Sequence, residues 1–476
     1  MEQDYLEEGE EVNDAQLKEI VANVVMKMNG IAPSSNHHLG IFEDMNEAIT
    51  AAKVAQKKLR QMPLETRDQI IDKIREKIMA NKEILARMAV EETGMGKVGH
   101  KILKHELVAK KTPGTECIKI DAWSGDQGLT LVERGPYGVI GAITPSTNPS
   151  ETVFCNGIGM IAAGNTVVFN PHPGATKTAN FAVNLINEAA KEVGEFENLA
   201  VSIRKPTLES GDILFKHPDI DLLVATGGPG IVKVILQSGK KGMAAGAGNP
   251  PVLVDETANI RKAAEDIVNG ASFDNNLPCI AEKEVIVVDE VADELIYYML
   301  SENDCYMLRG EEINRLANTV LIEKNGKYML NRDFVGRDAS VILKAIGIDA
   351  PEQTKCIIFE GCKENLLIKE ELMMPILGIV RVKDVDEGIE TAVLLEGGNR
   401  HSAHMHSSNV NNLTKYGKAL DTAIFVKNAP SYAGIGFGGE GFTTFTIASK
   451  TGEGLTNALS FTRARRCVMS NALYIR

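Results

Sequence analysis

The sequence has no uninterrupted apolar stretch of 18 residues, so no transmembrane helix is expected. It has no cysteine pair at C-x-x-C spacing and no H-E-x-x-H, which leaves no metal site to propose. It has no positive excess: 51 Lys and Arg face 64 Asp and Glu, a net charge of −13, which argues against nucleic acid as a partner. An anionic cofactor then needs local help, from backbone N–H groups or a few cations. The N-terminus lacks the basic stretch of a secretory leader, with Glu2, Asp4, Glu7, Glu8, Glu10 and Glu11 there instead. The 7 cysteines are odd in number and scattered, as expected of reduced thiols in a cytosolic setting. No internal repeat or low-complexity tract is evident. What is there is ordinary: 476 residues, 44% apolar and 24% charged, too many for one small domain.

Residues 13–30 stand apart. Leu17, Ile20, Val21, Val24 and Met28 form an apolar stripe at helical spacing, capped by Asn13 or Asp14 and ended by Asn29-Gly30. A polar linker with Pro33 follows. The stripe either folds back on the domain surface or docks on a partner protein. From Phe42 to Met95 the pattern is helical. Strands and helices then alternate: strands at Gly138–Ile143, Thr166–Asn170, Leu199–Ile203 and Leu222–Thr226, helices at Glu151–Ala163, Lys177–Val193, Glu209–Phe215 and Gly230–Gly239. A second series runs from Val252 to Val426. Such alternation predicts parallel sheets covered on both faces, hence two doubly wound α/β domains.

Chemistry concentrates in Ser272-Phe273-Asp274-Asn275-Asn276-Leu277-Pro278-Cys279-Ile280-Ala281. One cysteine follows a proline in a polar segment before the strand pattern Glu284–Asp289. A thiol at a loop–strand junction is exposed enough to react and rigid enough to aim. Thr226-Gly227-Gly228-Pro229-Gly230 lies between a strand and a helix, where glycines and free N–H groups suit a pyrophosphate, or simply a tight turn. Thr144-Pro145-Ser146-Thr147-Asn148-Pro149 follows another strand of that sheet. Asn148 there is either a cap or an N–H donor for an oxyanion.

These segments, in this order, resemble the aldehyde dehydrogenase superfamily from about residue 40 onward. The match is closest to its coenzyme-A-acylating branch, the propionaldehyde and acetaldehyde dehydrogenases of bacterial microcompartments. Gly246-Ala247-Gly248-Asn249-Pro250-Pro251, Glu371-Leu372-Met373-Met374-Pro375 and Arg463-Ala464-Arg465-Arg466-Cys467 complete the matching text. The resemblance implies an aldehyde dehydrogenase-like fold in four parts. Residues 1–36 are a targeting helix and linker. Residues 37–118 and 137–245 bind dinucleotide, 246–440 carry the catalytic thiol, and 119–136 with 441–476 form an oligomerising β-flap. It implies Cys279 as the nucleophile, and Asn148 with the Cys279 N–H as the oxyanion hole. It places the cofactor at Thr144, Pro145, Asn170, His172, Gly227, Gly228, Pro229, Gly230 and Glu371. The cosubstrates it implies are NAD, with NADP not excluded, and coenzyme A. Its further implications are a homodimer or homotetramer, a shell protein met through residues 13–30, and a bacterial cytoplasm, inside a microcompartment.

Departures refine the expectation. Aligned on Pro250, the general-base glutamate of hydrolytic members falls on Ala244, which favours transfer to a thiol over attack by water. Asn170 and Pro173 stand where hydrolytic relatives place a lysine and often a glutamate, which weakens a choice of NAD over NADP. Val232 replaces the last glycine of the turn, so the following helix is expected further from the sheet. His401, His404 and His406 cluster with no carboxylate or cysteine nearby in sequence, so a metal site is not expected. His401 is read either as a residue at the active-site mouth that deprotonates the incoming thiol or as a structural histidine. Lys363, Lys369, Arg400 and Lys427 are all candidates for the coenzyme A phosphates. Two rivals remain: a hydrolytic aldehyde dehydrogenase giving the free acid, and a non-catalytic scaffold on the same fold.

Overall fold

Short runs of Val, Ile, Leu and Ala form strands buried on both faces, and most are parallel, as two-sided burial favours. The computed structural model describes residues 39–475 apart from Asn325. The amphipathic stripe at 13–30 lies outside the described residues.

The first sheet has six parallel strands, in the order Ile41–Phe42, Ala200–Ile203, Thr166–Pro171, Val139–Thr144, Leu222–Thr226, Gly242–Ala245. From Val139–Thr144 the chain builds outward on one side, then returns to add Leu222–Thr226 on the other. The carboxyl ends of these two strands therefore flank the topological switch point, where open α/β sheets bind ligands. Two apolar clusters cover the sheet. Phe154, Val167, Phe169 and Met243 belong to the larger, and Val168, Leu223, Val232 and Ala244 to the smaller. Long helices complete the layers. Leu64–Thr93 runs about 45 Å at 1.5 Å per residue and stops at Gly94, whose φ of 69° suits a left-handed cap.

The second sheet is also parallel, in the order Cys305–Met307, Cys356–Glu360, Ile376–Val382, Glu284–Val288, Pro251–Val254, Ser402–His406, Ile424–Lys427. An antiparallel hairpin, Leu321–Lys324 with Lys327–Leu330, interrupts the strand–helix alternation. A third, antiparallel sheet pairs Asp121–Gly125, Gly128–Pro136 and Thr462–Ser470. Its Trp123, Val468 and Met469 are exposed. Cys155 is in the core and Cys467 on this sheet. Among the described residues no helix is long and apolar enough to cross a membrane.

Candidate active site

The polar letters ahead of Cys279 are not a surface loop. After the helix Ile260–Ser272, Asp274, Asn275 and Asn276 take φ of 50°, 56° and 67°, three left-handed residues in succession. Asn and Asp tolerate that region best after Gly. All three are buried, because their side chains bond inward. Asp274 Oδ1 accepts from Lys97 N at 2.8 Å, and Asp274 N donates to His100 Nδ1 at 2.8 Å. Asn275 Nδ2 donates to Gly336 O and Asp338 Oδ1, and Asn276 Nδ2 to Ala271 O and Glu282 O, each at 2.9 Å. Lys283 Nζ donates to Asn276 Oδ1 at 2.6 Å. The strained turn is thus fixed from several sides, and it delivers Pro278 and Cys279 in one position. Cys279 is half-buried.

Asn148 starts the helix Pro149–Ala162, yet its side chain makes no cap bond. Its Oδ1 accepts from Lys104 Nζ at 2.6 Å and its Nδ2 donates to Thr147 Oγ1 at 3.2 Å. Lys104 Nζ also donates to Asp274 Oδ2 at 2.6 Å. One buried ammonium thereby joins Asn148 to the Cys279 loop.

Burial pushes the Cys279 thiol up to about 12, with Glu371 adding to the rise and Lys283 opposing it. Burial likewise lifts Glu371 to about 7, against the pull of Lys283 and a hydrogen bond from Gly248. His401 is fully buried, not at a mouth. Burial lowers it to about 3, so its ring is neutral. Its Nδ1 pairs with Ser402 Oγ at 2.8 Å, while Nε2 has no partner among the described residues. A Cβ built on Gly248 would lie 2.9 Å from His401 Cγ and 3.1 Å from Cys279 O, which sets the imidazole beside the cysteine. His404 Nε2 bonds Ile280 O at 2.9 Å. Among the described residues no group of three His, Cys, Asp or Glu side chains could hold a metal ion.

The other named residues gather at the switch point of the first sheet. Thr144 O accepts from His172 N at 3.0 Å, which ties the ends of adjacent strands. Thr144 Oγ1 is buried without a partner among the described residues. Pro145 follows, partly exposed. Gly227 N donates to Ala245 O at 3.1 Å, and Gly228 begins the helix Pro229–Gln237 with Pro229 in its first turn. A Cβ at Gly228 or Gly230 would meet nothing within 4 Å, so this helix N-terminus is open to a ligand. Asn170 Oδ1 accepts from Ser210 Oγ at 2.8 Å, and His172 Nδ1 accepts from Gly174 N at 3.0 Å. Ala244 does not face the thiol. It belongs to the smaller apolar cluster, whereas Cys279 packs against the larger one, and the segment reaches Cys279 at Gly248.

A family model for the aldehyde dehydrogenase family matches residues 32–462. The chain belongs to the aldehyde dehydrogenase family. Among its relatives, the acetaldehyde dehydrogenase (acetylating) EutE of Escherichia coli is 46% identical, over 98% of this chain and 100% of that one. A propionaldehyde dehydrogenase from the Clostridium phytofermentans fucose utilisation bacterial microcompartment superposes with a TM-score of 0.91 at 65% identity, over 92% of this chain and 100% of that one. The Rhodopseudomonas palustris propionaldehyde dehydrogenase with bound propionyl-CoA gives 0.90 at 51%, over 94% and 99%. Within this aldehyde dehydrogenase, the site residues outside every motif are Lys101, Lys104 and Lys283. Their signal in the sequence is Asp274, an acid inside the thiol segment that calls for a buried partner.

Proposed function

We propose that this protein is a coenzyme-A-acylating aldehyde dehydrogenase. It converts a short-chain aldehyde, propionaldehyde or acetaldehyde, coenzyme A and NAD to acyl-CoA, reduced NAD and a proton, reversibly. The observation that carries the reading is the half-buried Cys279 on a rigid turn, joined through Asp274 and Lys104 to the Asn148 amide. Cys279 loses its thiol proton to solvent and attacks the aldehyde carbon as the thiolate, and Asn148 Nδ2 with the Cys279 N–H receives the developing oxyanion. NAD, when bound, supplies the hydride acceptor. Gly227, Gly228, Pro229 and Gly230 suit its pyrophosphate, Thr144, Pro145, Asn170 and His172 line the adjoining strand ends, and Glu371 suits the nicotinamide ribose. The acyl group is left as a thioester on Cys279. His401, whose Nε2 has no partner among the described residues, takes the proton of the incoming coenzyme A thiol.

Transfer to a thiol is favoured over hydrolysis because residues 242–248 bring no carboxylate to Cys279, only Gly, Met and Ala. Cys279→Ala tests the assignment: acyl-CoA formation should vanish while cofactor binding persists. More than a few per cent of wild-type turnover, or free acid as the wild-type product, overturns it.

The three-stranded antiparallel sheet is read as an oligomerising flap, for which the exposed Trp123, Val468 and Met469 are the support. Residues 1–36 are read as a targeting segment whose residues 13–30 dock on a microcompartment shell protein inside the bacterial cytoplasm. Removing them should leave turnover intact, and fusing them to a reporter should carry it into the compartment. A truncated enzyme without turnover rules this out.

A further inference from the structure

Lys101 and Lys104 stand one turn apart on the helix Val98–Lys111, with 1% and 0% of their side chains exposed. A buried ammonium is costly unless opposite charge meets it at close range. Here two carboxylates meet two ammoniums. Lys104 Nζ donates to Asp274 Oδ2 at 2.6 Å and lies 2.9 Å from Glu151 Oε1. Lys101 Nζ shares Asp274 Oδ2 at 3.0 Å and also donates to Thr147 O at 3.2 Å. His105 packs beside them, bonding Lys101 O and Ser150 Oγ. A balanced cluster of this kind is ordinarily only structural. One bond sets this one apart, from Lys104 Nζ to Asn148 Oδ1 at 2.6 Å.

An ammonium has donors and no lone pair, so only the carbonyl end of an amide can face it. The Asn148 amide therefore has a single permitted orientation, with Nδ2 turned away from Lys104. Flipping it would press two N–H bonds against a cation. The same Lys104 grips Asp274, in the turn that carries Cys279. A cation on the carbonyl oxygen also polarises the amide and strengthens its N–H groups as donors.

We propose that Lys104 is a positioning residue of the oxyanion site: it orients the Asn148 amide and, through Asp274, fixes that amide against the loop of Cys279. This rests on the reading of Asn148 as an oxyanion donor. Lys104 is fully buried and acts through Asn148.

The test is a double-mutant cycle on the full-length enzyme, with kcat and aldehyde KM measured at saturating coenzyme A and NAD. Asn148→Ala alone should lower kcat about 100- to 1,000-fold. Lys104→Met should lower kcat about 10- to 100-fold and change aldehyde KM less than about threefold, since it removes orientation and not the amide. Added to Asn148→Ala, it should lower kcat less than about threefold more, because nothing remains to orient. Should Lys104→Met fail to fold, Lys104→Met with Glu151→Gln keeps the buried charge balanced and meets the same criteria. Wild-type kcat in Asn148→Ala overturns the oxyanion reading and this inference with it. A normal loss in Asn148→Ala, with the Lys104 effect undiminished in that background or absent from both, overturns the inference alone. If neither Lys104 variant folds, the lysine serves the fold and the assignment is wrong.

Discussion

Cys279 and His401 both pack against Gly248, which leaves no room for a side chain between them. A Cβ at position 248 would sit 2.9 Å from His401 Cγ and 3.1 Å from the Cys279 carbonyl oxygen. Neither neighbour can yield easily, since one is a fully buried ring and the other is backbone. Gly248→Ala should therefore displace the thiol or the imidazole. Turnover should fall about 10- to 100-fold, the usual cost of small misplacements at a reacting centre, in an enzyme that still folds. A folded variant with wild-type kcat would show that the two groups do not depend on this spacing.

Cys279 is held as a neutral thiol in the ligand-free protein, because burial drives it up to about 12. Only the thiolate is alkylated at a useful rate. Iodoacetamide labelling of Cys279, followed peptide by peptide, should therefore rise about tenfold per pH unit from pH 7 to 10, with no plateau. His401, neutral above about 3, adds no titration in that range, whereas Glu371, lifted to about 7, ionises at its lower end and pushes the thiol further up. A plateau near pH 8 would mean that the thiolate forms without substrate or cofactor.

The strands were legible because parallel strands buried on both faces are nearly continuous apolar runs; Leu222–Thr226 is found where its letters place it. The site was legible only in part. Asp274, Asn275 and Asn276 read as polar loop, yet they are buried, since their polar groups satisfy one another. Lys101 and Lys104 carry no motif for a related reason: a sequence shows charge but not the opposite charge that folding brings to it. His401 stood out as a candidate, but its burial and its place beside Gly248 depend on strand pairing far along the chain.

Ala244 aligns with a general base in hydrolytic relatives, but its side chain lies among Leu223, Ala225, Val232 and Ile235 in the smaller apolar cluster. Ala244→Glu should therefore bury a carboxylate without a partner. The expected outcome is a loss of stability of about 3 kcal/mol or more, seen as a lower Tm or loss of soluble protein. The ratio of free acid to acyl-CoA from the surviving enzyme should not rise. A stable variant that hydrolyses its acyl-enzyme would place position 244 beside the thiol after all.

Glu282 gives the fold a pH dependence separate from catalysis. Burial raises its carboxyl to about 8 from an ordinary 4.5, with hydrogen bonding from Ser431 opposing the rise. One oxygen accepts from Ser431 N at 2.8 Å and the other is buried without a partner among the described residues. Between those two pH values the folded chain holds a proton there that the unfolded chain has released. Stability from this group is therefore full below about 4.5 and declines as pH rises through about 8. Gln has the shape of the neutral acid and does not titrate. Glu282→Gln should leave Tm near wild type at pH 5 and exceed it by a few degrees at pH 8, with turnover unchanged. Tm profiles that run parallel from pH 5 to 8 would show that Glu282 is ionised in the folded protein.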